Sequence, residues 1–146
     1  MSSDIESELA DVADEFDLLG DWEQRYRHVI DLGRDLAPLS DAERSDANRV
    51  RGCASQVWLK TSIVAGKDGP RLKFIGDSDA HIVRGLIALL LRLYSGRTPA
   101  AILDFDAKAA FARLGLTGAL SSQRSNGLAS MAERIRRDAQ AAEASA

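Results

Sequence analysis

The chain holds one cysteine among its 146 residues, Cys53, in the stretch RVRGCASQVWL at residues 49 to 59. Only a thiolate is a strong nucleophile, and the cations Arg49 and Arg51 favour that form if their heads lie near the sulfur. Gly52 lets the chain turn there and expose the side chain. The alternative is a packed apolar residue, because free cysteines are among the most buried residue types. The local sequence favours a reactive thiol, which must exchange with a partner because no second cysteine can resolve its oxidised form.

Other site chemistries find less support in the sequence. Zinc or an iron-sulfur cluster needs several close Cys, His or carboxylate ligands, and beside Cys53 there are only His28 and His81, on separate predicted helices. Each histidine is interpreted as a packed or surface residue. No glycine-rich phosphate or dinucleotide loop is present. Two aspartate pairs are interpreted as helix caps or loop residues rather than as acid-base pairs: Asp77 with Asp79, and Asp104 with Asp106.

Arg124 breaks a local rule. It falls in the first turn of a predicted helix, in SSQRSNG, where the helix dipole favours acidic residues and disfavours a cation. Such a break can mark a functional position. An exposed arginine that tolerates a few tenths of a kcal/mol is the other interpretation, and the sequence leaves both open.

Composition limits the class of protein. With 45% hydrophobic and 28% charged residues, the chain has the size of one domain, 1–146. A net charge of −3 argues against a general nucleic-acid binder. The apolar stretch at 85–94 is about half the length of a membrane span, and the acidic N-terminus lacks the features of a signal peptide. We therefore expect a cytoplasmic protein without a membrane segment.

The first part of the chain predicts two helices. A capping box beginning at Ser3 and a glycine at Gly20 bound the first helix. Asp21 caps the second, which Pro38 stops, and residues 39–49 form a polar connector. The apolar stripe of the first helix recurs at spacings of three and four: Ile5, Leu9, Val12, Phe16 and Leu19.

An alternating pattern then predicts strands. One side of an extended run carries Val57, Leu59, Thr61 and Ile63. After the turn residues 66–70, the run at 71–76 returns as the second strand of a hairpin. Residues 48–51 supply a third strand, and three short strands need helices over one face.

Helical patterns fill the rest of the chain. Asp77 or Ser78 caps a largely buried helix that ends at Gly96. Thr98 and Pro99 open a short helix, and residues 107–114 form another. Ser121 or Ser122 starts the last helix, whose apolar face is predicted from three residues: Leu128, Met131 and Ile135.

Several motifs in one order resemble the SufE family of sulfur-acceptor proteins. They are GCASQVW at 52–58, GDSDAHIVRGLIALL at 76–90, TPAAILDFD at 98–106 and SQRSNGL at 122–128, with DWEQRYRHVIDLGRDL at 21–36 upstream. The likeness covers about residues 16–137, and the two ends carry little of it. Ala54 departs from the glutamine or similar polar residue of that family, which affects the fine tuning of the cysteine loop.

The resemblance implies an α+β fold: a small curved antiparallel sheet of about three strands, helices on one face, and the active cysteine on a loop. The framework also resembles cluster scaffolds of the IscU type, but those need several cysteines. By this likeness Cys53 accepts sulfur from the persulfide of a cysteine desulfurase, a pyridoxal-phosphate enzyme of the SufS-like or CsdA-like kind. It would stimulate that enzyme and pass the sulfur to an iron-sulfur scaffold complex.

The resemblance also implies roles for the neighbours of Cys53. Val57 and Trp58 would anchor the loop to the sheet. The chain would need no cofactor of its own, and a homodimer of the free protein is left open. Residues expected to shape the loop or face the partner are Arg51, Gly52, Ser55, Gln56, Asp79 and Arg124.

Two alternatives remain at this point. A single-thiol redox sensor or thiol-exchange protein would form a sulfenic acid or mixed disulfide without a desulfurase. A regulatory interaction domain would keep Cys53 merely packed. Replacing Cys53 with serine separates this last case, because a docking module keeps its effect after the change.

Overall fold

Six helices and a two-stranded sheet make up the parts of the chain that the computed structural model describes, residues 3–53, 55–67, 69–116 and 120–145. Ala54 and the side chain of Ser3, and with it the predicted capping box, lie outside this description. The elements in chain order are α1 (Ser3–Leu18), α2 (Trp22–Arg34), β1 (Val57–Val64), β2 (Arg71–Ser78), α3 (His81–Tyr94), α4 (Pro99–Asp104), α5 (Ala107–Arg113) and α6 (Ser122–Ser145).

The two N-terminal helices follow their predicted patterns. The stripe of α1 packs into the core, with Val12 fully buried and Phe16 2% exposed. Asp21 caps α2 as predicted, since its Oδ1 accepts a hydrogen bond from Gln24 N at 3.0 Å. The α2 helix ends at Arg34, four residues before the predicted stop at Pro38.

The sheet is a hairpin, as predicted, with β1 and β2 antiparallel from Val57 opposite Ser78 to Val64 opposite Arg71. The predicted third strand is wrong in extent. Residues 48–50 form one bridge to β1, in which Val50 N donates to Val57 O at 2.9 Å and Leu59 N donates to Asn48 O at 2.8 Å. The segment stops pairing there because a turn at residues 51–52 carries the chain away from the sheet.

Helices cover one face of the hairpin. Side chains of the inner face, such as Leu59, Leu72 and Phe74, are buried under α3 and α6. Trp58 and Lys60 lie on the other face and are partly exposed. The observed architecture is therefore the predicted α+β arrangement with fewer strands.

The long helices of the second half are also as predicted. The α3 helix buries nine of its 14 residues. Thr98 and Asp106 cap α4 and α5, and Ser121 Oγ accepts from Arg124 N at 3.3 Å at the start of α6. Leu128 and Met131 of α6 are buried in the core. No helix among the described residues has the length and apolar character needed to cross a membrane.

Asp77 and Ser78 do not cap α3, contrary to prediction. Both lie at the end of β2, and α3 begins after Ala80, which makes no side-chain capping bond. The Asp77 carboxylate is 1% exposed and points into the molecule. The Ser78 hydroxyl donates to Gln56 O at 2.6 Å and accepts from Ala80 N at 3.2 Å.

The buried Asp77 carboxylate joins three segments. Its Oδ2 accepts from Leu39 N at 3.2 Å and from Arg44 Nη2 at 2.9 Å, both in the connector. On α3, Arg84 Nε lies 3.4 Å from Oδ1. Burial raises the pKa of Asp77, but the hydrogen bonds from Arg44, Leu39 and Ser78, with the charge of Arg84, outweigh it and leave this pKa below its ordinary value.

Asp77→Asn is expected to lower the free energy of unfolding at neutral pH by about 2 kcal/mol, because hydrogen bonds to a buried charge are lost. A carboxyl with a lowered pKa stabilises the fold above its unfolded value and loses this effect as pH falls through the folded value. The gap between the native protein and Asp77→Asn should therefore narrow below about pH 4.

Urea unfolding between acid and neutral pH measures this gap. Asp31→Asn is the matched control, since Asp31 forms a surface ion pair with Arg34 and should change stability by less than about 1 kcal/mol. A gap that is the same at every pH would contradict the assignment.

Candidate functional site

The turn before Cys53 presses against the last helix. Gly52 has φ of +86°, a conformation that residues with a Cβ rarely adopt. A Cβ on Gly52 would also lie 2.6 Å from Ser130 Oγ of α6. Gly52 therefore allows a turn and a close approach that alanine would not.

Cys53 is half-buried against the same helix. Its Sγ lies 3.7 Å from the carbonyl oxygen of Gly127, to which the thiol donates a weak hydrogen bond. A Cβ on Gly127 would lie 3.6 Å from the sulfur, an ordinary van der Waals distance. Glycine inside a helix costs about 1 kcal/mol relative to alanine, and this contact alone does not require glycine at position 127.

A cavity of about 270 Å³ adjoins the sulfur. Its apolar lining comes from β1, α3 and α6, and its polar lining comes from the cysteine loop and the start of α6. Beside Cys53 and Gly127 the lining residues are Val57, Val83, Leu86 and Met131 on the apolar side, and Ser55, Ser121, Gln123 and Arg124 on the polar side.

Burial raises the pKa of the Cys53 thiol, and the nearby charge of Arg49 lowers it by less. The net shift is upward, opposite to the activation expected from Arg49 and Arg51. The Arg49 guanidinium lies over the Trp58 ring, 5.9 Å from its centroid, and Arg51 is exposed at the turn. In this arrangement the resting sulfur is a protonated thiol at neutral pH.

The chain leaving the loop is fixed to the junction of β2 and α3. Gln56 N donates to Asp79 Oδ1 at 3.1 Å, and Gln56 O accepts from Ser78 Oγ and, at 3.4 Å, from Asp79 N. Asp79 thus holds the stem of the loop and does not line the cavity in this structure. Val57, the next residue, is fully buried.

Arg124 lies at the cavity and not free in solvent. Its guanidinium is 5.8 Å from the centroid of Tyr26 on α2, within reach of a cation-π contact. The cation that breaks the helix-dipole rule thus stands beside the wall of the Cys53 cavity. The contact with Tyr26 gives this cation a structural partner, and a functional role for Arg124 stays a prediction.

Neither histidine belongs to this site. His28 Nε2 lies 3.3 Å from Glu15 Oε1 of α1, and its ring packs edge-on to Phe16. His81 is exposed at the start of α3. Among the described residues no group of three or more His, Cys, Asp or Glu side chains is placed to hold a metal ion.

Sequence reasoning named Arg124 but missed the other residues that α6 contributes to the site. Gly127 and Ser130 contact the cysteine turn, and Met131 lines the cavity. One signal was present, since Gly127 interrupts a predicted helix in SQRSNGL and an interior helix glycine often marks a close approach. Nothing comparable pointed to Ser130.

Comparisons with known proteins agree on one family. Residues 10–139 match the family described as "SufE: Fe-S metabolism associated domain". A SufE-like protein of Rhizobium etli is 51% identical over 131 residues, covering 90% of this chain and 88% of that protein. A SufE-like protein of Rhizobium meliloti is 47% identical over 132 residues, covering 90% and 94%. The solution structure of a hypothetical protein from Thermus thermophilus shares the fold, with a TM-score of 0.75 at 18% identity over 94% of this chain and 96% of that one.

Gly52→Ala is expected to displace the turn and speed alkylation of Cys53 by about fivefold or more, because the added Cβ meets Ser130 and strains φ. The rate with iodoacetamide at neutral pH measures it. Gly69→Ala is the matched control, since Gly69 also has positive φ but its Cβ would meet no atom within 4 Å. Equal rates in Gly52→Ala and the native chain would contradict the packing described above.

Proposed function

The chain belongs to the SufE family of Fe-S metabolism associated domains, and from this premise we propose that Cys53 accepts sulfur from the persulfide of a partner cysteine desulfurase. The chain then stimulates that enzyme and delivers the sulfur to an iron-sulfur scaffold complex. One observation carries the proposal: the single cysteine lies on a tight turn beside a cavity, with its sulfur in contact with the Gly127 carbonyl.

The proposed step is a thiol exchange in which sulfur is the cargo. The Cys53 thiolate attacks the outer sulfur of the enzyme's persulfide, a new S–S bond forms at Cys53, and the S–S bond of the donor breaks. The donor cysteine leaves as a thiolate, and the proton of the outer sulfur stays with the persulfide now on Cys53. No external oxidant or reductant is needed, because the outer sulfur keeps its oxidation state.

Because the pKa of Cys53 is raised, the exchange requires that the thiol first leave its buried position. Only the thiolate attacks, and burial disfavours the thiolate at rest. Docking that moves the loop out of the cavity would restore an ordinary thiol pKa and expose the sulfur. The cavity would thus shelter the thiol, and later the persulfide, from small thiols until a partner is bound.

The raised pKa of Cys53 also argues against the alternative that the chain is a redox sensor. Sensor cysteines are accessible thiols of low pKa, because oxidation follows thiolate character. Cys53 is half-buried with a raised pKa. A resting Cys53 should therefore react slowly with mild oxidants.

The proposed partner surface surrounds the turn. Arg51, Gly52 and Gln56 are exposed there, and a desulfurase that reaches Cys53 must pass over them. Arg124 at the cavity could contact the incoming chain once the loop has moved. The proposal sets the exchange in the cytosol, where free thiols remain reduced.

Incubation with a cognate desulfurase and free cysteine should add the mass of one or more sulfur atoms to Cys53, because the thiol takes the sulfane sulfur. Intact-mass and peptide mass spectrometry under non-reducing conditions measure this. Cys53→Ser is the control and should gain no sulfur. An unmodified Cys53 in a mixture where the desulfurase demonstrably turns over would contradict the proposal.

Alkylation of Cys53 should be slower in the free folded chain than in the same chain unfolded in urea, since burial shields the thiol. It should accelerate when a catalytically inactive desulfurase is added, because docking releases the loop. Quenched alkylation followed by mass spectrometry gives both rates. Equal rates for folded, docked and unfolded chain would rule out sheltering.

A further inference from the structure

One face of α6 follows the chain on both sides of the cysteine turn. Gly127, Ser130, Arg134 and Asp138 are spaced by three, four and four residues and so lie on one side of the helix. Gly127 contacts Cys53 and Ser130 lies under Gly52. The two charged residues further along had no role in the sequence analysis.

Arg134 binds two carbonyl groups of the segment that enters the turn. Its Nη2 donates to Ala47 O at 2.9 Å, and its Nη1 donates to Arg49 O at 3.3 Å. Asp138 orients the guanidinium by accepting from Nε at 3.3 Å. Asp138 also accepts from Thr61 Oγ1 of β1 at 2.6 Å. The Arg134 side chain is 18% exposed; its bond to Arg49 O is partly buried and its bond to Ala47 O is exposed.

One of the two carbonyls, Arg49 O, belongs to the residue that bridges β1, and the other, Ala47 O, belongs to the turn before it. In an extended segment, successive carbonyls point to opposite sides. Asn48 O and Val50 N pair with β1 on one side, so Arg49 O, which lies between them, points to the other side, while Ala47 lies in the turn just before this bridge. The fork of the Arg134 guanidinium donates to both carbonyls at once.

We propose that Arg134 is a positioning residue for Cys53: by holding residues 47 and 49 against α6, it sets where the turn places the sulfur. Cys53 follows Arg49 by only four positions in the chain, so a shift of the segment moves the thiol relative to Gly127 and the cavity. The inference rests on the proposed function for what the loop delivers. The position of the thiol itself can be tested without any partner.

The test measures the alkylation rate of Cys53 against pH in the full chain, together with the free energy of unfolding in urea. Arg134→Met keeps the apolar stem but removes all donors. It should raise the rate at neutral pH by about fivefold or more, the effect of losing roughly one net hydrogen bond. The pH at which the alkylation rate reaches half its maximum should fall toward the value for the unfolded chain. Charged groups near Cys53, namely Arg49, Arg51 and Arg124, remain in every variant.

Two further variants separate positioning from general destabilisation. Arg136→Met also removes an arginine of α6 that binds a backbone carbonyl, Leu103 O at 2.9 Å, but on α4 and away from the turn. It should leave the alkylation rate and the pH of its half-maximum unchanged. Arg134→Lys keeps the charge but cannot span both carbonyls, and it should behave like Arg134→Met.

Three results would overturn the inference: no change in Arg134→Met, an equal rise in Arg136→Met, or native behaviour in Arg134→Lys. Persulfide loading of the native chain is measured separately. A chain that fails to load while Arg134→Met still frees the thiol would refute the proposed function and leave the positioning role intact. A chain that takes up sulfur while Arg134→Met leaves the alkylation rate unchanged would support the proposed function and refute the positioning role.

Discussion

A single buried carboxylate determines the path of the chain to the site. Asp77 would be costly to bury without partners. Its hydrogen-bond donors are Leu39 N and Arg44 of the connector and the neighbouring Ser78 N, and Arg84 of α3 adds an ion pair. Arg84 also donates to Leu36 O at 2.7 Å, just after α2. The start of the connector, the end of β2 and α3 therefore meet at one charge. This arrangement places the rest of the connector where residues 48–50 can pair with β1.

The cysteine loop has two stems, residues 47–50 and Gln56–Val57, that are held by hydrogen bonds, and a tip between them that is held more weakly. The entering stem lies between β1 and Arg134, and the leaving stem is bound to Ser78 and Asp79. For the described residues of the tip, Gly52, Cys53 and Ser55, the one hydrogen bond is the weak S–H bond from Cys53 to Gly127 O. Segments held by few strong bonds open at lower free energy than those around them. The distribution of bonds suits a loop whose tip moves while its stems stay in place.

Much of the fold could be predicted from the sequence because amphipathic periodicity and caps are local properties. The stripe of α1, the cap at Asp21 and the hairpin were confirmed on that basis. Asp77 was misassigned as a cap because its role depends on Leu39 and Arg44, which are more than thirty residues away in the chain. The third strand was overextended because the pattern at 48–51 does not reveal that Gly52 turns the chain onto α6.

The sequence by itself determined which atom can react, since the chain has one thiol, and the motifs around it indicated the family. Tertiary structure decided the state of that thiol. Adjacent arginines in the sequence predicted activation, but burial under α6 outweighs the charge of Arg49 and raises the pKa. Desolvation of a group depends on which distant segments of the chain cover it. Cys53 is covered by the α6 helix at Gly127, which the residues next to Cys53 in the sequence do not predict. The pKa of Cys53 thus depends on the packing between its loop and α6.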